Sequence, residues 1–222
     1  MVARSIALCA LLACVVAVLG GCAGTEAPKS PVDRVGTVPS EKTEPQLLAD
    51  LDRKFENPQA HYELARLYHK SQNWSKAEYH YNVALGFEPR NKGAQAGLVK
   101  MFADRGDAPK AEQFANRYIR QGSVAVAEML RLGWEFEKLG MDDYALRTFR
   151  QAVAAAPDSA EANKQIGFYY LGKNDSANAK QYLMRSFELN PRQPDVSGAL
   201  GGLGVIVRTP GVPEGPLQEK NS

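Results

Sequence analysis

Three imidazoles and a small set of thiols are the side chains of this chain best suited to metal or nucleophilic chemistry. His61, His69 and His80 are all of its histidines. His61 and His69 fall on one helical stretch, eight residues apart, which separates them by about 12 Å along the axis, too far to share an ion. His80 belongs to the next helix. The three are read as surface or packing residues, and no metal site is expected. Nothing in the chain has the form of a His-Glu-x-x-His zinc helix, a Gly-rich phosphate loop closed by lysine and a hydroxyl, or a serine elbow. The run GALGGLG from Gly198 to Gly204 is rich in glycine but follows a helix and opens no dinucleotide-binding unit, so no cofactor is expected. With no convergent titratable residues, an enzyme with an unrecognised site stands only as a remote alternative.

The thiols tell more. An apolar run from Ser5 to Leu19 follows Arg4 and is shorter than the roughly 18 to 20 residues that cross a bilayer, which is the layout of a signal peptide. Cys9 and Cys14 lie within it; Cys22 stands just past its end, so an exported chain keeps one cysteine and no internal disulfide. The sequence Leu19-Gly20-Gly21-Cys22 resembles the lipobox of bacterial lipoproteins, in which the thiol is the nucleophile that accepts the lipid. That resemblance implies removal of residues 1–21, diacylglyceryl attachment at Cys22 and usually an acylated new amino terminus, with the lipid as the only membrane contact. Two or three acyl chains anchor firmly where one binds marginally. Ala23 stands where inner-membrane lipoproteins carry aspartate, which implies the outer membrane, facing the periplasm. A plain secretory signal is the alternative.

Residues 22–42 combine the lipid-bearing cysteine with prolines, small polar residues and charges, and read as a disordered tether. Twenty such residues span roughly 25 Å root-mean-square. Over the whole chain 27 basic residues nearly balance 25 acidic ones, which argues against a nucleic-acid partner.

What must position any functional surface is a repeat. Ala77, Ala111, Ala145 and Ala179 recur every 34 residues. Twelve residues earlier come Ala65, Val99, Gly133 and Gly167; four later come Tyr81, Ala115, Phe149 and Leu183; twelve later come Pro89, Ser123, Pro157 and Pro191. Gln72-Asn73, Gly106-Asp107 and Asn174-Asp175 supply turn chemistry. The pattern resembles the tetratricopeptide repeat over 58–193, as units 58–91, 92–125, 126–159 and 160–193. The resemblance implies an all-α protein, a right-handed α-solenoid of about four helix hairpins. The second unit departs most: Val99 replaces a small residue, Ala115 and Tyr118 exchange sizes, and Ser123 replaces proline. Residues 43–57 are expected to form a capping helix, with Thr43 and Gln46 as a capping box and Leu47, Leu48, Leu51 and Phe55 as its apolar stripe. Residues 194–206 read as a fifth first-helix that aborts, and 207–222 as a disordered tail.

The same resemblance implies a concave groove lined by first-helix residues: Gln59, Tyr62, Arg66 and His69; Ala96 and Lys100; Leu130, Trp134 and Glu137; Lys164, Phe168 and Leu171. One end is then polar and basic and the other apolar, which suits a protein or peptide partner. The competing expectation is that the chain's own tail fills the apolar half. The functional expectation is a non-enzymatic scaffold or adaptor, in pilus or secretion machinery or, alternatively, tethering cell-wall enzymes in envelope and peptidoglycan maintenance.

Overall fold

The computed structural model describes residues 42–122 and 125–208. The signal segment, Cys22, nearly all of the tether and residues 209–222 lie outside the described residues. Ten helices and no strand occur within them: α1 (Glu44–Arg53), α2 (Pro58–Lys70), α3 (Trp74–Phe87), α4 (Lys92–Asp104), α5 (Ala108–Gly122), α6 (Val126–Lys138), α7 (Asp142–Ala155), α8 (Ala160–Gly172), α9 (Ser176–Leu189) and α10 (Pro194–Gly202). From α2 to α9 they pair as four antiparallel hairpins, one per expected unit, in an all-α solenoid.

Each hairpin turn is made by one residue in the left-handed region: Gln72, Gly106, Gly140 and Asn174, with φ between +59° and +86°. The next residue caps the second helix in three of the four. Asn73, Asp107 and Asp175 accept from the backbone N–H of Lys76, Lys110 and Asn178. First helices are capped in the same way by Asn57, Asn91 and Ser159, whose side chains accept from Ala60, Ala94 and Ala162. These caps are themselves spaced by multiples of 34 residues; each satisfies a backbone donor that the helix leaves open.

Within a hairpin the two helices touch at a small residue. A Cβ on Gly133 would lie 2.5 Å from Phe149 Cε1, and one on Gly167 would lie 2.8 Å from Leu183 Cδ2. In the second unit Val99 and Ala115 are both fully buried, with the volumes interchanged between the two helices, and Phe114 stacks on Phe102 at 5.1 Å. The first helices form an inner row: α4 packs on both α2 and α6, and α6 packs on α8. As a result α4 is buried almost all round, from Lys92 to Phe102. Lys92, 9% exposed, pairs with Glu128 at 3.2 Å and so ties α4 to α6.

The ends differ in detail from expectation. The capping helix begins as the capping box requires, with Thr43 N–H donating to Gln46 Oε1 at 2.9 Å, but it stops at Arg53. Leu47 and Leu51 are buried; Leu48 (40%) and Phe55 (53%) are exposed. One neighbouring hairpin covers only one edge of the stripe. At the other end α10 is shorter than the 194–206 expected. Gly204 turns the chain at φ +74°, Val205 N–H donates back to Leu200, and Val205 and Val207 pack on the cluster of Leu183, Val196 and Leu200.

Candidate functional site on the inner helix row

The inner row brings the expected groove residues into one sequence of first helices, but it does not leave all of them accessible. Ala96 is fully buried and Leu130 is 3% exposed. Both belong to the core rather than to a contact surface: Ala96 because α4 is enclosed by α2 and α6, and Leu130, on α6, as a member of the same buried cluster. Tyr62 lies across α4: a Cβ on Gly93 would meet its hydroxyl at 2.8 Å. Its ring also senses Glu135 and Lys138 of α6, and burial pushes its phenol above the usual value. The tightness of the stack, which helical periodicity does not encode, decides this.

Toward the N-terminal side the accessible residues are polar. Gln59 donates to Glu63 at 2.7 Å. The Arg66 guanidinium sits 5.9 Å from the Tyr62 ring and is exposed. His69 bonds Asp104 through Nε2 at 3.0 Å and approaches the Tyr81 hydroxyl at 3.4 Å through Nδ1. Lys100 pairs with the same Asp104 carboxylate. Burial acts to raise the Asp104 carboxyl, but hydrogen bonds from Lys100 and His69 outweigh it and hold the group below the usual range.

Toward the C-terminal side Trp134 is 37% exposed and its indole N–H donates to Gln165 Oε1 across to α8 at 3.1 Å. That bond fixes the ring while leaving its face open. Glu137 is half-buried, and burial raises its carboxyl against the opposing charge of Lys173. Lys164 joins Glu161 at 2.9 Å and Asp195 at 3.6 Å, which links α8 to α10. Leu171 packs on the main core. Phe168 is committed to the terminal cluster that also takes in Val205 and Val207, so it is a half-buried end-packing residue. The tail segment thus reaches the cluster containing Phe168, while Trp134 keeps its exposure.

Of the histidines read as surface or packing residues, two pack on each other: His61 Nδ1 and His80 Nδ1 are 2.9 Å apart in the core of the first hairpin, and His61 Nε2 is 3.0 Å from the Phe55 carbonyl. A carbonyl accepts, so His61 Nε2 carries the proton, its Nδ1 is bare, and His80 donates. No group of three or more His, Cys, Asp or Glu suited to a metal occurs among the described residues. No described helix is long and apolar enough to cross a membrane.

Comparison with known proteins agrees with the repeat. The family model described as Tetratricopeptide repeat matches residues 160–193, the fourth unit. Similar solved structures include the MamA protein, 15% identical over 66% of this chain and 80% of that one, TM-score 0.39. YrrB, described as a TPR protein with an unusual peptide-binding site, is 18% identical over 70% of this chain and 80% of that one, TM-score 0.39. Pseudomonas aeruginosa pilF is 21% identical over 68% of this chain and 69% of that one, TM-score 0.37. No curated protein matches the chain.

Proposed function

We propose that this chain of tetratricopeptide hairpins is a non-enzymatic scaffold that holds a protein partner on its inner helix row, is anchored to the outer membrane by lipid at Cys22, and serves the assembly of a pilus or secretion machine. The observation that carries the binding surface is Trp134: a large aromatic side chain on an inner helix, a third exposed, held in place by Gln165. A pre-oriented aromatic loses little conformational entropy on contact and gives a large area to bury. Arg66 and the Lys100–Asp104–His69 group supply polar contacts toward the other end of the row. The anchor rests on the resemblance of Leu19-Gly20-Gly21-Cys22 to a lipobox.

Partner capture from envelope extracts tests the surface. Wild type is expected to retain a stoichiometric pilus or secretion component that Trp134→Ala with Arg66→Ala loses. Phe168 is left intact, because its removal would loosen the C-terminal end. Equal capture by both chains would move the site elsewhere, and retention of cell-wall enzymes would favour the maintenance adaptor. Fractionation tests the anchor: Cys22→Ser is expected to leave the membrane pellet while keeping wild-type helicity, and a mutant that still pellets would rule the lipid out.

A further inference from the structure

Helix α10 is the first helix of a hairpin whose second helix is missing among the described residues. In the two preceding hairpins the matching glycine is a seat. Gly133 takes Phe149 and Gly167 takes Leu183, each with less than 3 Å to spare for a Cβ. Gly201 stands 34 residues after Gly167, and a Cβ on it would meet nothing within 4 Å. The seat is kept, and no described residue occupies it. Around it lies a cleft of about 510 Å³ walled by Pro194, Ser197 and Gly198 of α10 and by Val205 to Val207. No charged side chain among the described residues lines it. On the same rim Ile206 is 96% exposed, pointing away from the terminal cluster while Val205 and Val207 pack into it.

We propose that this face is a two-fold interface between two copies of the chain, in which each Ile206 enters the Gly201 seat of the other. A two-fold contact requires one patch to carry both the projection and the recess it fills, and this patch carries both. An uncharged centre fits the core of a homodimer interface, where charged residues are depleted. The sequence after Arg208 does not have the pattern of a repeat's second helix: Pro210, Pro213 and Pro216 follow, and a proline inside a helix removes an N–H and clashes with the preceding turn. The contact lies beyond the fourth hairpin and uses neither Trp134 nor Arg66, so it is independent of the partner surface proposed above.

Sedimentation of the full chain in detergent over a concentration series tests this. Wild type is expected to pass from monomer to dimer. Ile206→Asp removes the projection and Gly201→Leu fills the recess, and each is expected to stay monomeric throughout at wild-type helicity, since residue 201 faces open space. A mixture of Gly201→Cys and Ile206→Cys chains is expected to cross-link into a heterodimer in higher yield than either chain alone. A wild type that is monomeric at every concentration overturns the proposal, as does a dimer that survives both substitutions. A monomer that dimerises only when residues 209–222 are removed shows that the chain's own tail holds the seat, and overturns it too. Partner capture reads Trp134 and Arg66, so the two ideas fail separately.

Discussion

The first hairpin has room for one added proton and not for two. The chain of bonds from the Phe55 carbonyl through His61 to His80 survives a single protonation, since His80 can take the proton on Nε2 while its Nδ1–H still donates to His61; protonating both rings would set Nδ1–H against Nδ1–H at 2.9 Å. Burial lowers both imidazoles from the ordinary 6.5, His80 to about 4, and the positive charge of His61 and Lys76 adds to the effect on His80 against the opposing Glu44. Because the unfolded chain takes up these protons near pH 6.5 and the folded chain resists, the stability they contribute is complete above pH 6.5 and is lost as pH falls toward 4. Urea unfolding at pH 7 and pH 5 should show a lower midpoint at pH 5, and His80→Gln, whose amide still donates to His61, should flatten that difference. An unchanged pH slope in the variant would place its source in other groups.

At the scale of the hairpin, glycine position predicts tolerance. Gly133→Ala drives a methyl into Phe149 and should cost about 1–3 kcal/mol. Gly86→Ala, inside α3 with nothing within 4 Å, should instead gain up to about 1 kcal/mol from helix propensity. Thermal denaturation of the two variants checks the pair, and similar shifts for both would refute the packing argument. The glycine seat and the Gln72, Gly106 and Asn174 turns were legible in the sequence, because they depend on residues whose chemistry is local and whose spacing repeats. The Leu48 and Phe55 stripe was misjudged for a definite reason: periodicity says which face is apolar, and only neighbouring elements say how much of it is covered. Likewise His61 and His80 are 19 residues apart on two helices, and their contact is fixed by the roll of one helix on the other. Ala96 and Leu130 occupy the expected positions of the repeat; Ala96 was hidden by the approach of α2 and α6 across α4, and Leu130, on α6, by the same buried cluster.

For the molecule as a whole, contacts run mainly between hairpin partners and neighbours in the row, so stability is close to a sum of local terms. Leu183 is covered by Val196 and Leu200, which gives α10 a capping role at one end as α1 has at the other. The enclosure of α4 gives this sum a slow centre. Its amides cannot reach solvent by fraying of an end and must wait for α2, α5 or α6 to separate, whereas α1 and α10 are covered by described helices from one side only. Native-state hydrogen exchange should therefore find the slowest amides of the chain in α4, between Gln95 and Phe102, and the fastest helical ones in α1 and α10; uniform protection along the row would contradict this. A partner that spans the inner row is therefore expected to be recorded as slowed exchange toward its ends, with little change in α4, whose amides are already shielded.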